Sequence, residues 1–460
     1  MTLSKFANKY GLLLILASSL GIRMISSGQS LWLDEAISAL AVKNNTFLEL
    51  ITKFSLGDTH PPLYYLILKA WTSIFGFTEV ALRAPSVIFS VLTVYFTYKL
   101  GEFFGGKKMA ILSSVLLAFA PLHVYYSQEA RMYALTTLLV SMSFYFFLKE
   151  KWRYLSVTLL FLGLSDYLPL LILVPFWIYV FIKKNRESFF NLVNSHILLL
   201  IFLLFWLPVF IKQSSSSASY LASFPQWGEV LGGANIKELA LIWIKFIAGR
   251  ISFGNKFFYG LAILIPSFIV VIPLYKAFLN RGITLILWLW LVIPPNIFFI
   301  GSFFVPGFSY FRLLFILPSF YLLISWGVLK TNYRKILSLS LVLINIALSL
   351  TYLLDNSFWR EDWKGLVSFV EEQVKGDEVL LVSYSEPFAG YIWYSRKPYL
   401  VRSFDQSDVK QKESLYTMDY LMDLTDPVRE NYKKLENEGF ANLEVYNFRN
   451  IGQLRYWKKI

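Results

Sequence analysis

The sequence predicts an all-α polytopic membrane domain of about 11 transmembrane helices with interfacial helices, followed by a small α/β unit. Three observations carry that expectation. Hydrophobic residues fill 56% of the 460 positions and charged residues only 16%, with a mean hydropathy of +0.53, whereas a soluble domain needs a more charged, mixed surface. Apolar runs close to the roughly 20 residues that carry a helix across a hydrocarbon core recur as far as residue 354. Beyond that point the chain turns polar.

The first run, 9–27, follows Lys5 and Lys9 and has no small-residue cleavage site, so it reads as an uncleaved first span. The others lie near 80–100, 109–125, 132–148, 153–165, 167–182, 193–212, 257–275, 283–304, 312–329 and 336–354. With the N-terminus in the cytoplasm, the cytoplasmic connectors carry Lys99, Lys107 and Lys108, then Lys149, Lys151 and Arg153, then Lys183, Lys184 and Arg186. Lys276 and Arg281, and finally Lys330, Arg334 and Lys335, complete the series. Every such connector is basic, as the positive-inside rule requires. The net charge of +13 is therefore topological, and no basic block interleaved with stacking aromatics points to nucleic acid. Cysteine is absent, which excludes disulfides and thiolate metal sites.

Between the first two runs, PPLYYLILKAWTSIFG (61–76) is too short to span and opens on two prolines that suit a first helical turn. It reads as an interfacial helix anchored by Tyr64, Tyr65 and Trp71. The outer loop 213–256 breaks the charge rule with Lys237, Lys245, Arg250 and Lys256, which a long loop tolerates. Its serine run, 214–219, reads as flexible.

The domain boundary falls at 354, giving a membrane domain over 1–354 and a soluble α/β domain over 355–460. In the latter, DWKGLVSFVEEQVKGDEVLLVSY reads as helix, turn and strand, with Leu366, Phe369, Val370 and Val374 on one helical face. A second helix starts near Asp426-Pro427, and LEVYNF pairs with QLRYWK across 449–452.

On this topology the polar outliers gather at the outer ends of the spans. They are Asp34 and Glu35, Asp58 and His60, Arg83, Gln128, Glu129 and Arg131, Asp166, and Arg312. Carboxylates beside arginines at headgroup level suit a lipid-phosphate substrate. No nucleotide-sugar supply exists outside the cell, so a glycosyl donor there arrives as a lipid-linked phosphate. Its displacement needs a base for the acceptor's proton and cations for the leaving phosphate, a task arginine performs bidentately. A single carboxylate with in-line attack implies inversion. Asp34 is the expected base, and Glu35 would orient the acceptor or help hold a metal. The plainer accounts are that Asp34 and Glu35 merely start a helix, that Arg83 and Arg312 snorkel to headgroups, that Glu129 and Arg131 form an interfacial ion pair, that His60 belongs to a loop, and that Asp166 is an N-cap. Clustering on one side favours a shared site.

The segments LWLDEA, HPPLYYLILKAWTSIFG, ALRAPSVIFS, YYSQEARMYAL and YFRLLFILP, in this order, resemble the bacterial family 39 glycosyltransferases of the GT-C superfamily. That family is related to protein O-mannosyltransferases and to the lipid A aminoarabinose transferase. The resemblance spans roughly 10–330 and is tightest over 30–140. It implies the GT-C architecture, a catalytic base at Asp34, a second acidic position at Glu129, and an Arg83 that helps hold the donor or the site. His60 stands where some relatives carry glutamate. The tail's REDWKGLVSFVEEQVKGDEVLLV is also similar to tails in this group, with no catalytic motif recognised in it.

The resulting expectation is an inverting hexosyl or pentosyl transferase. It would move a sugar from a polyprenyl-phosphate donor to a protein, lipid or polysaccharide acceptor at the outer face of the plasma (inner) membrane, with the C-terminal domain also extracytoplasmic. Asp34, Glu35 and Glu129 are the catalytic set, and Arg83, Arg131 and Arg312, with Arg250 or His60, would bind the donor phosphate. A divalent metal on Asp34, Glu35 and Glu129 stays open, since no ligand spacing compels it. The alternatives are a ligase or polymerase using a polyprenyl-diphosphate oligosaccharide, and a non-catalytic scaffold of the same fold. A transporter would place its ionisable groups near the midplane rather than at span ends.

Overall fold

A computed structural model describes residues 3–384, 388–404 and 409–460; the side chains of residues 3–9, Lys5 and Lys9 among them, and of Glu229 fall outside the described set. The chain is mostly helical as far as residue 354, and the apolar runs fall largely within helices. Among the described residues, six helices are long and apolar enough to cross a membrane, and Tyr10–Met24, Leu63–Phe75, Tyr133–Leu148 and Leu168–Lys183 are shorter apolar helices.

The first helix, Leu3–Met24, ends just before the helix Leu33–Asn44. Leu63–Phe75 follows with Pro62 at its start, the amphipathic helix that the two prolines announce. Glu79–Ala118 is interrupted at Gly105 and Gly106, where Gly106 has φ +69°. The chain turns back on itself there, so closely that a Cβ on Gly101 would come within 2.8 Å of the Ala110 Cα. Only glycine tolerates both the left-handed turn and the close approach.

The short helix Pro121–Ser127 then leads through 128–132 into Tyr133–Leu148, which is buried along almost its whole length. Trp152–Gly163 returns toward the first end, where the Leu63 amide donates to the Leu164 carbonyl at 3.0 Å. Asp166 caps the following turn by accepting from the Leu168 amide at 3.2 Å.

The serine run departs from its expected flexible conformation. It continues the helix Ile197–Ser223 without a break, because each hydroxyl can bond one turn back: Ser215 to the Ile211 carbonyl at 2.5 Å and Ser217 to the Gln213 carbonyl at 2.9 Å.

After the helix Arg334–Leu354, a linker reaches the helix Trp363–Gln373, capped by Asp362, whose Oδ1 accepts from the Gly365 amide at 3.1 Å. Trp363, Leu366, Val367 and Val370 form its buried face, so the apolar stripe sits slightly off the expected one. Among the described residues five strands follow: β1 Leu380–Val382, β2 Val401–Ser403, β3 Ser414–Met418, β4 Phe440–Phe448 and β5 Gly452–Lys459. They form one sheet in the order β2-β1-β3-β5-β4, with β1 parallel to β2 and β3 and the rest antiparallel. The hairpin expected across 449–452 is β4–β5, turning at Asn450 with φ +58°. The second tail helix, Glu430–Asn437, begins three residues later than its Asp-Pro signal. Asp426 caps it from a distance, accepting from the Glu430 amide at 2.8 Å and the Asn431 amide at 2.9 Å.

Candidate active site

The site is built where the first turn of the helix Leu33–Asn44 meets the 128–132 connector and the linker after the last long helix. Glu35, fully buried, is its fixed point. Arg83 grips it with two bonds, Nε to Oε1 at 2.8 Å and Nη2 to Oε2 at 2.6 Å, and the Ala130 amide donates to Oε1 at 2.8 Å. Arg360 Nε stands 3.4 Å from Oε2. Burial alone would raise the Glu35 carboxyl, but the Arg83 and Arg360 guanidiniums and these bonds hold it below the usual range. The remaining N–H groups of Arg83 go to the carbonyls of Ser27, Gln29 and Ser30 at 2.8, 2.7 and 3.0 Å. A guanidinium has five N–H donors, and Arg83 directs all of them to protein. Its geometry is that of a clamp on the 27–30 linker, with no donor left for a phosphate.

Glu129 is also buried. Its Oε2 accepts from Arg360 Nη2 at 3.1 Å, while Oε1 has no hydrogen-bond partner among the described residues. Burial pushes its carboxyl up to about 7; Arg360 opposes the rise, and the Glu35 and Asp34 charges add to it.

Asp34 is the carboxylate that stays open, with 34% of its side chain exposed and Oδ2 3.9 Å from Arg131 Nη2. Arg131 is buried, donates through Nη1 to the Tyr65 hydroxyl at 3.1 Å, and has an Nε with no acceptor among the described residues. Tyr65 in turn donates to Asp58 Oδ2 at 2.6 Å, and Asp58 Oδ1 lies 3.5 Å from His60 Nδ1. Burial favours a protonated Asp58, yet the His60 imidazole, the Arg131 guanidinium and the Tyr65 bond hold it below the carboxylate range. Among the described residues, His60 is thus linked to Asp34 through Asp58, Tyr65 and Arg131.

Beside this cluster opens a cavity of about 650 Å³, with Trp32, Tyr125, Lys245, Arg250, Tyr310 and Arg360 in its wall. The Arg360 and Arg250 guanidiniums lie 4.1 and 5.3 Å from the Tyr125 ring centre, and Arg250 donates to the Tyr310 hydroxyl. Lys245 bonds the Ile251 carbonyl at 3.2 Å, and burial together with Arg250 and Lys256 pushes its ammonium down to about 8. Arg360 Nη1 and Trp32 Nε1 have no acceptor among the described residues. Three cations and two phenols around an open volume can hold a phosphate.

Of the residues singled out from sequence, Asp34, Glu35, Arg83, Glu129 and Arg131 converge, and Arg250 lines the adjoining cavity. Arg312 donates to the Gly307 carbonyl at 2.9 Å and is outside the cavity wall, while its charge reaches Tyr133 together with those of Arg131, Glu129 and Asp34. The metal set Asp34, Glu35 and Glu129 is not assembled: each carboxylate faces an arginine, and among the described residues no group of three or more His, Asp or Glu side chains is placed to hold a metal ion. Sequence reasoning missed Lys245, Tyr125 and Tyr310 in the cavity, and above all Arg360 and Glu361. Glu361 accepts from the Leu33 amide at 2.9 Å and the Trp363 indole at 2.7 Å through Oε2, and from Tyr420 at 2.9 Å through Oε1. The available signal was three consecutive charged residues, 360–362, only a few positions past the last apolar run.

Residues 59–211 match the family model described as dolichyl-phosphate-mannose-protein mannosyltransferase. No curated protein matches the chain significantly in sequence. Among solved structures, ArnT from Cupriavidus metallidurans is similar in its apo state, with a TM-score of 0.58 at 12% identity over 98% of both chains. The same protein bound to undecaprenyl phosphate gives 0.60 at 11% identity, over 97% of this chain and 98% of that one. The Archaeoglobus fulgidus oligosaccharyltransferase, solved with zinc and sulfate, gives 0.54 at 10% identity over 97% of this chain and 72% of its own. Along nearly its whole length the chain therefore shares the fold of ArnT, and within it residues 59–211 match the mannosyltransferase family model.

Proposed function

We propose that the protein is an inverting glycosyltransferase that moves a sugar from a polyprenyl-phosphate donor to an acceptor hydroxyl or amine. The observation that carries this reading is the cavity lined by Lys245, Arg250 and Arg360 beside the half-open Asp34. Asp34 takes the acceptor's proton as the acceptor atom bonds to the anomeric carbon. The bond from that carbon to the phosphate oxygen breaks on the opposite face, and the polyprenyl phosphate leaves with an added negative charge. Arg250, Lys245 and Arg360 stabilise that charge where it develops. Arg131, 3.9 Å away, orients Asp34, Glu129 aims Arg360, and the Glu35–Arg83 pair fixes the turn that presents Asp34. Undecaprenyl phosphate bound to the similarly folded ArnT supports a lipid phosphate as donor.

In this reading 1–354 forms the membrane domain, with about eleven spans and its site at the outer face of the plasma membrane, and 355–460 forms an extracytoplasmic α/β domain. The connector charges and the one-sided site support that orientation.

The test is transfer of labelled sugar from a panel of polyprenyl-phosphate sugars in proteoliposomes. Asp34→Asn is expected to lose about 10²–10⁴-fold in rate at unchanged folded yield. Equal rates in wild type and variant would remove Asp34 as the base. An inactive wild type that also fails to bind undecaprenyl phosphate would overturn the donor assignment.

A further inference from the structure

A second cavity lies away from the candidate active site. Tyr133–Leu148 starts beside Glu129 and Arg131 and ends at the tight turn 149–151, and Trp152–Gly163 returns from that turn to Leu164, next to Leu63. The turn is thus at the opposite end of this helix pair, about 24 Å away along a 16-residue helix. Here a cleft of about 490 Å³ opens between the start of Trp152–Gly163 and the helix Arg186–Ser195.

Its wall holds Glu150, Lys151, Arg153, Ser156, Asn191 and Asn194. Neither Lys151 nor Arg153 has an ion-pair, hydrogen-bond or ring partner for its side chain among the described residues, and neither do the Asn191 and Asn194 amides. Ser156 is 9% exposed, lines the cleft, and likewise has no partner for its hydroxyl.

From the same cleft an apolar stripe runs along the helix. Tyr154, Val157 and Phe161, at spacings of three and four, share one face and are all exposed, and Phe190, Val193 and Ile197 are also exposed. Cations and amides at the helix end, continued by an exposed apolar face along its length, match a molecule with a phosphate head and acyl tails. A free phosphate would have no use for that face.

We propose that this cleft binds an anionic phospholipid, with Lys151 and Arg153 on the phosphodiester, Ser156 and the two asparagines on the ester or glycerol oxygens, and the acyl chains along Tyr154, Val157 and Phe161. Glu150, at φ +54° on the turn, faces the polar end of the headgroup. The bound lipid pins the turn between two membrane helices to the helix Arg186–Ser195.

The test is equilibrium binding of a tail-labelled phosphatidylglycerol to the purified full-length protein in neutral detergent, competed by unlabelled phosphatidylglycerol, phosphatidylcholine or inorganic phosphate. The Lys151→Ala/Arg153→Ala variant is expected to weaken binding by about tenfold or more. A control of equal charge change outside the cleft wall, Lys183→Ala/Lys184→Ala, is expected to bind as wild type. Ser156→Leu, which fills the cleft floor without altering charge, is expected to weaken binding as well. Equal loss in both double variants would reduce the effect to surface charge and overturn the site. Competition by inorganic phosphate at the strength of phosphatidylglycerol would replace the lipid with a soluble anion, and equal competition by phosphatidylcholine would overturn the anionic specificity.

Discussion

Glu35 and Glu129 show how neighbouring buried carboxyls acquire opposite character from their partners alone. Glu35 has a bidentate arginine and a backbone amide, and is held ionised. Glu129 shares one bond with Arg360, leaves Oε1 unmet and is pushed up to about 7. The first residue-scale prediction concerns the clamp. Arg83→Met strands a buried carboxylate and cuts three carbonyl bonds, so a loss of about 3–5 kcal/mol is expected, seen as a lower unfolding midpoint in detergent. An unchanged midpoint would mean that the 27–30 linker does not depend on Arg83.

The second prediction concerns pH. Glu129 binds its proton more tightly folded than unfolded, so between the ordinary glutamate value of 4.5 and about 7 the folded state carries the extra proton. Stability from this group is therefore greatest below that window and is lost as pH rises through it. Glu129→Gln cannot ionise, so its unfolding temperature relative to wild type should climb between pH 5 and pH 8. A constant difference across that range would place the ionisation elsewhere.

At the scale of elements, the helix Leu33–Asn44 begins under an unusual lid. Its first amide, that of Leu33, is met by Glu361, a side chain from beyond the last long helix, rather than by a local cap. Glu361 is itself pushed up by burial and steadied by Trp363 and Tyr420. Because Asp34 is the next residue, the lid sets where the proposed base points. Glu361→Leu should cost about 1–3 kcal/mol through unmet donors and slow transfer by about 10²-fold through misplacement of Asp34. A rate equal to that of wild type would detach the lid from the chemistry.

At the scale of the whole molecule, the tail is joined to the membrane helices through charge as well as apolar contact. Arg360 lies between Glu35 and Glu129, stacks over Tyr125 and lines the cation cavity, so the linker supplies part of a site that the earlier elements begin. Arg360→Ala is expected to weaken undecaprenyl phosphate binding by about 2 kcal/mol, a factor of about 30, as loss of a charge-assisted contact implies. Unchanged affinity in a folded variant would show that the phosphate sits beyond its reach.

The sequence by itself determined the helical membrane architecture, the polar α/β tail with its β4–β5 hairpin, and the gathering of Asp34, Glu35, Arg83, Glu129 and Arg131. Apolar run length, turn chemistry and the placement of charges at span ends are local properties, and they are written residue by residue. Only the tertiary structure decided which arginine meets which carboxylate. It turned Arg83 inward as a clamp, left Arg312 on the Gly307 carbonyl, brought Lys245 and Arg250 to one cavity, and set Arg360 and Glu361 against a helix more than 300 residues earlier. Those pairings depend on how helices distant in sequence pack and on which donors remain unmet when they do, and neither is written in any local stretch of chain.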